Sequence, residues 1–261
     1  MATVITIASG KGGVGKSSLA TNFALRLQKT FGRTLLVDSD LLMANSHILL
    51  DFQPEFDLID VFEARCTLRE AIAVVFGGLS VLAGRTGANV VIDKVEDPLQ
   101  GVFSELRRLQ NAFDYIVVDA PAGAGQSLIN TLASSDRVLV VLLAQATSFV
   151  DAYALIKNSY MERGIIQYSV LVNMVHTEVQ AKAVFENFRA TVEKLLPIHL
   201  TYAGHVEYRQ EIHASSVKCT PVAHMQRKRD QIENFDAILG RVLRAPHNAL
   251  QLEPVPTVMQ G

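Results

Sequence analysis

The chain has 261 residues, 49% of them hydrophobic and 19% charged, which is typical of one folded domain rather than a disordered chain. Its formal net charge of −2 gives no general attraction to nucleic acid, so sequence-specific nucleic-acid binding is not expected. The two cysteines, Cys66 and Cys219, stand far apart and favour neither a disulfide framework nor a zinc site. No apolar run approaches the ~20 residues of a membrane span, and the N-terminus begins a strand pattern rather than a secretory signal. We therefore expect a cytoplasmic protein.

Strand and helix patterns alternate along the chain, as a parallel sheet covered by helices requires. Apolar, β-branched runs predict five buried strands, at 4–8, 34–37, 115–118, 138–143 and 168–173. Shorter runs at 79–82 and 199–205 extend the sheet, and the segments 17–31 and 151–163 predict helices. We expect a single α/β domain over 1–245, doubly wound, with a mostly parallel sheet and helices on both faces. The residues 246–261 carry three prolines and predict a flexible tail.

The glycine-rich segment 10–17 matches the phosphate-binding pattern G-x-x-x-x-G-K-[ST]. It lies between the first predicted strand and the first predicted helix, so backbone N–H groups and a helix N-terminus would face phosphate oxygens. Lys16 is expected to bridge the β- and γ-phosphates of ATP, and the Ser17 hydroxyl to ligate Mg²⁺. A flexible turn is the alternative, and the two lysines with their flanking elements argue against it. The predicted binding residues are Gly10, Lys11, Gly12, Gly13, Val14, Gly15, Lys16, Ser17 and Ser18.

Polar side chains stand at the ends of later strands. Asp38 and Asp40 follow the second strand at i, i+2 spacing, Asp119 ends the third, and Asn173 ends a later one. Open α/β sheets bind ligands at the carboxyl ends of their strands, so these residues are expected near the phosphate loop. An isolated Asp or Asn at a strand end is otherwise a common turn residue.

The early lysine of the loop, Lys11, makes the segment 11–17 resemble the deviant Walker motif of the MinD/ParA/nitrogenase-iron-protein superfamily. The resemblance implies a P-loop ATPase that forms an ATP-dependent homodimer. In such a dimer, Lys11 would reach across the interface to the partner's nucleotide, as an arginine finger does. A solvated surface lysine is the alternative interpretation.

The same resemblance assigns roles to the strand-end residues. Asp40 is implied to position the attacking water, which makes it a catalytic residue beside the two lysines of the loop. Asp38 and Asp119 are implied to act around Mg²⁺, and Asn45 to lie in the same switch as Asp40. Asn173 resembles the family's adenine-reading asparagine, because an amide donates to and accepts from the base edge at once.

Several segments resemble the FlhG branch of this family, also called FleN, whose members regulate flagellar placement and number. They lie at 57–62, 77–84, 171–175, 202–206 and, most specific to the branch, 147–157. The resemblance implies ATP-dependent regulation of flagellar assembly. The implied partners are a FlhF-type GTPase and a flagellar transcriptional activator or switch components. After residue 206 the family's proline and acidic residue are missing, which leaves the adenine contacts of that loop open.

Three other functions are compatible with a deviant Walker motif. An iron–sulfur ATPase needs cluster ligands, and the placement of the two cysteines does not favour it. A ParA-type DNA partitioner or cargo-positioning ATPase needs a basic surface, which the pI of about 6.4 disfavours. A MinD-like protein acting at the division site differs from the flagellar hypothesis only in the 147–157 segment.

The last predicted helix carries apolar residues at helical spacing, which has two interpretations. It is either a domain helix packed on the sheet or, as in many MinD-like proteins, a basic amphipathic helix that makes weak contact with the inner face of a membrane over 232–244. The packed helix is the favoured interpretation. The apolar residues are Ile232, Phe235, Ile238, Leu239, Val242 and Leu243.

Overall fold

The computed structural model of the chain describes residues 2–40, 44–85, 111–208 and 229–248, together with residues 102, 105, 106 and 109. The predicted tail from 249 onward lies outside the described residues. Just before it, the Asn248 N–H donates to the Asp136 carbonyl at 2.9 Å and its side chain donates to the Leu132 carbonyl at 3.3 Å. The predicted division of the chain into a domain over 1–245 and a tail over 246–261 stays a prediction.

In the described part of the chain, eight strands form one sheet in the order β3-β4-β2-β5-β1-β6-β7-β8. Neighbouring strands are parallel except for the antiparallel pair of β3 and β4. All seven predicted strands are present, the doubly wound fold is confirmed, and the short edge strand β3 was not predicted. The strands are β1 (Thr3–Ser9), β2 (Thr34–Asp38), β3 (Ile72–Val74), β4 (Ser80–Leu82), β5 (Tyr115–Ala122), β6 (Arg137–Leu143), β7 (Gln167–Val175) and β8 (His199–Glu207).

Helices cover both faces of the sheet. The two helices predicted at 17–31 and 151–163 are present as α1 and as the larger part of α6. The helices are α1 (Lys16–Thr30), α2 (Ser46–Leu49), α3 (Leu58–Phe62), α4 (Leu68–Ala71), α5 (Gln126–Ala133), α6 (Ala146–Arg163), α7 (Glu178–Leu195) and α8 (Arg229–Arg244), with a 3-10 turn at Phe76–Gly78.

The central strands are apolar on both sides because each side is covered by helices. Leu139 and Val141 of β6 belong to the core cluster that includes α1 and α8, whereas Val140 and Leu142 belong to the cluster with α5, α6 and α7. A third cluster joins β2 and β5 to α3 and α4. Successive side chains of a strand point to opposite faces of the sheet, and both faces are buried. The strand therefore appears in the sequence as a continuous apolar run.

The apolar face of α8 is buried against α1 and β8. Phe235 packs edge-on against Phe23 of α1 with ring centroids 5.5 Å apart. Asp236 forms an ion pair with Arg26, whose Nη2 lies 2.6 Å from the Asp236 Oδ2. The interpretation of α8 as a domain helix is confirmed. Membrane contact through the apolar face of 232–244 does not agree with this packing, because its central side chains, including Ile238, are already buried. None of the described helices has the length and apolar character that crossing a bilayer requires.

We expect Gly204→Ala to lower the free energy of unfolding by about 2–4 kcal/mol. Gly204 has φ +138°, and an added Cβ would lie 2.8 Å from the Ile238 Cγ1 atom of α8. The control is Gly240→Ala within α8, where the nearest atoms belong to the flexible end of Arg244 and the helix should gain up to about 1 kcal/mol. Urea unfolding measures both. Equal effects of the two variants would contradict this account of α8 docking.

Candidate active site

The phosphate loop connects β1 to α1 and leaves the first turn of α1 open. Gly15 is the N-cap residue with φ 85°, no side chain caps the helix, and no acidic residue lies in its first turn. Gly13 also has a positive φ, 77°, which residues with side chains rarely adopt. The N–H groups at this helix start are therefore available to an anion, which the partial positive charge of the helix N-terminus also favours.

Two close contacts fix the shape of this loop. A Cβ on Gly10 would lie 2.1 Å from the carbonyl carbon of Asp151 in α6, so only glycine fits. On the other side, the Asn173 amide donates to the Val14 carbonyl at 2.7 Å. The structure thus places Asn173 against the loop itself, and its predicted contact with adenine stays a prediction.

Lys16 is paired with Asp119 at the centre of the site. Their side chains are 8% and 2% exposed, and the Lys16 Nζ lies 2.7 Å from the Asp119 Oδ1. Both charges are thus almost fully removed from water, and each is compensated by the other. The structure brings together the two residues that the sequence assigned to phosphate and to Mg²⁺.

Asp38 lies beside Asp119, because β2 and β5 pair in parallel with these two residues in register. Its carboxylate accepts the backbone N–H groups of Asn45 and Ser46, both at 2.9 Å, and that of Asp40 at 3.3 Å. Burial, and after it the negative charge of Asp119, raise the pKa of Asp38 to about 6. The hydrogen bonds to its carboxylate act in the opposite direction. In this conformation Asp38 anchors the start of α2, and its predicted place around Mg²⁺ stays a prediction.

The loop and the segment after β2 form the walls of one open cleft with a volume of about 420 Å³. Asp40 and Asn45, which the sequence predicted to lie near the loop, line this cleft together with Ser17 and Ser18. Sequence reasoning missed Ile48, Leu49 and Met174, because their contribution depends on how α2 and β7 end. The cleft residues are Ser9, Lys11, Gly12, Gly13, Val14, Gly15, Lys16, Ser17, Ser18, Asp40, Asn45, Ile48, Leu49, Ala122 and Met174.

The donor groups of the cleft fit a nucleotide with Mg²⁺. In the described residues, no three His, Cys, Asp or Glu side chains gather as a protein-only metal site. Mg²⁺ commonly takes one or two protein ligands and completes its shell with substrate phosphates and water. The Ser17 hydroxyl, which lines the cleft, and the buried Asp119 carboxylate, which is bonded to Lys16, match that requirement.

Lys11 lies at the rim of the cleft and is bonded within its own chain. Its Nζ donates to Gln145 Oε1 at 3.0 Å and to Thr147 Oγ1 at 3.2 Å. Sequence reasoning singled out Thr147 only as the start of the segment 147–157, and it did not connect either residue with Lys11.

Comparison with known proteins shows the family to which the chain belongs. A family model described as an AAA domain matches residues 2–197. The antiactivator FleN of Pseudomonas aeruginosa is 32% identical over 209 residues, which cover 80% of this chain and 75% of FleN. The chain belongs to the MinD/ParA family of P-loop ATPases. Within this family it falls in the FleN, or FlhG, branch, and it is an ATPase as the members of the family are.

One further relative and one solved structure are also similar to this chain. The flagellum site-determining protein YlxH of Helicobacter pylori is 29% identical over 212 residues, covering 78% of this chain and 69% of YlxH. The septum site-determining protein MinD of Pyrococcus horikoshii, solved with Mg-ADP, matches 94% of this chain and 97% of that chain with a TM-score of 0.76 at 20% identity. The last comparison shows the fold.

We expect Asp38→Asn to raise the free energy of unfolding of the chain by an amount that depends on pH. The pKa of Asp38 rises from 3.8 to about 6 on folding, so the ionisation of this side chain lowers stability as the pH rises through that interval. Asparagine keeps one oxygen acceptor and cannot ionise. The variant should be more stable by on the order of 2 kcal/mol at pH 8 and should match the parent near pH 4. Urea unfolding at both pH values tests this, and a difference independent of pH would contradict it.

Proposed function

We propose that this ATPase is an ATP-dependent dimerising switch that regulates the placement or number of flagella. The observation that carries the proposal is that Lys11 lines the cleft and is bonded to Gln145 and Thr147, whereas Lys16 is the lysine paired with Asp119. A cation at this position suits the nucleotide of a second subunit facing the cleft. The flagellar assignment rests on the similarity to FleN and YlxH and on the segment 147–157.

The chain's own residues perform the binding step. Lys16 leaves Asp119 for the β- and γ-phosphates of ATP, since a doubly charged phosphate group attracts the ammonium more strongly than one carboxylate does. The Ser17 hydroxyl and the Asp119 carboxylate would hold Mg²⁺, which would supply positive charge at the phosphates. The exchange keeps every buried charge compensated.

Hydrolysis would use Asp40 and the second subunit. Asp40 lines the same cleft as the loop, where a carboxylate can orient the attacking water as a general base. Lys11 of the facing subunit would add positive charge as negative charge develops on the transferred phosphoryl group. Ile48 and Met174, 46% and 39% exposed at the cleft, offer apolar surface for that subunit to cover.

The proposed partners follow from the branch. FleN is named an antiactivator, which supports a flagellar transcriptional activator as one partner. A FlhF-type GTPase and flagellar switch components are the other proposed partners.

We expect Lys16→Met to abolish ATP binding and Lys11→Met to leave it intact while lowering hydrolysis by about 10²- to 10³-fold. Lys16→Met also leaves Asp119 buried without its cation, which should cost about 3–5 kcal/mol of stability. The control is therefore Lys16→Met/Asp119→Asn, which should recover stability without recovering binding. Calorimetry with ATP, phosphate release and urea unfolding measure these effects. Equal loss of ATP binding in both single variants would show that the two lysines have no separate roles.

In cells, we expect deletion of the chain to change flagellar number or placement and to leave division septa at their normal positions. Asp40→Ala should also misregulate flagella, because a dimer that hydrolyses ATP slowly stays in one state. Microscopy of stained flagella and septa distinguishes the candidates. Misplaced septa with normal flagella would instead support a MinD-like division function, and failed cargo segregation a ParA-like one.

A further inference from the structure

The two lysines of the phosphate loop are held by different kinds of partner. Lys16 is buried against a carboxylate that neutralises it. Lys11 is hydrogen-bonded to an amide oxygen and a hydroxyl oxygen, and it forms no ion pair with any described residue. Its ammonium group is thus positioned without being neutralised, and its full charge stays available for an anion.

The acceptors of Lys11 are themselves held in place. Gln145 is the N-cap residue of α6 and Thr147 lies in the first turn of that helix. The Gln145 N–H donates to the Leu143 carbonyl at 2.8 Å. The Leu143 N–H in turn donates to Ser148 Oγ at 3.0 Å. On the lysine side, the Lys11 carbonyl accepts from Ser9 Oγ at 2.9 Å. Both ends of the contact are therefore attached to rigid elements.

We propose that Gln145 and Thr147 are positioning residues that form a resting cradle for Lys11 and thereby raise the threshold for dimerisation. The proposal rests on the proposed function, in which Lys11 serves the nucleotide of a second subunit. An ammonium group has three N–H donors, and the cradle uses two of them. Full engagement with a partner's phosphates therefore requires release from the cradle.

The neutral character of the cradle decides when release occurs. A hydrogen bond from a cation to a neutral oxygen is weaker than one to a phosphate oxygen, because in the second case the donor and the acceptor are both charged. Lys11 would stay on its own chain while the facing site holds no triphosphate, and it would cross when one is present. A carboxylate at position 145 or 147 would hold the lysine more firmly and oppose this exchange.

The first test measures the cradle itself, in nucleotide-free protein. In Gln145→Met/Thr147→Val, which keeps side-chain size and removes both acceptors, Lys11 should react with an acylating reagent about 3- to 10-fold faster, since the two hydrogen bonds no longer hold its amino group against the chain. Mass spectrometry quantifies the modification, and the exposed Lys157 on α6 is the internal control, with an unchanged rate. An unchanged rate at Lys11 would overturn the proposal.

The second test measures dimerisation with ATP and Mg²⁺ by analytical ultracentrifugation. The double variant should dimerise about 3- to 10-fold more tightly than the parent, because Lys11 no longer has to leave its cradle. In a Lys11→Met background the two substitutions should not produce ATP-dependent dimers, because their effect acts through Lys11. If the parent dimerises with ATP and the double variant dimerises equally tightly or less tightly, the proposed cradle is overturned. A parent that stays monomeric with ATP would instead overturn the proposed function.

Discussion

The ion pair between Lys16 and Asp119 is the interaction on which the rest of the site depends. It lies where β1, β2 and β5 end, with both side chains nearly out of contact with water. A buried charge without a partner is very costly, so neither residue can act elsewhere until something replaces its partner. ATP with Mg²⁺ offers both replacements at once, an anion for the lysine and a cation for the aspartate. Binding is in this way coupled to the arrangement of charges beneath the loop.

The same pair links the loop to the segment after β2. Asp38 is the register partner of Asp119 and holds the start of α2 through the N–H groups of Asn45 and Ser46. Any change in the charge near Asp119 therefore acts on Asp38, and through Asp38 on α2 and Asp40. This arrangement gives a physical route by which the state of the nucleotide can reach the surface where a second subunit is proposed to bind.

Most of the fold was predictable because its determinants are local. Buried parallel strands are short β-branched runs, and the phosphate loop must be rich in glycine because Gly13 and Gly15 have a positive φ. The strand β3 escaped prediction because a three-residue edge strand has no clear period. The contacts of Asn248 escaped it because they join residues distant in sequence. The site residues were found from their positions at strand ends. Their partners were not, since the bonds of Lys11 to Gln145 and of Asn173 to Val14 join residues more than 130 positions apart.

The central claim, that ATP brings two subunits together through this site, is tested most directly by measuring molar mass in solution with and without nucleotide. Light scattering coupled to size exclusion should give 28.6 kDa for the nucleotide-free chain and for the chain with Mg-ADP. Mg-ATP should shift the mass toward twice that value, most completely in Asp40→Ala, and the shift should disappear in Asp40→Ala/Lys11→Met. A mass that stays at the single-chain value with Mg-ATP in the Asp40→Ala variant, under conditions where ATP is shown to be bound, would contradict the account.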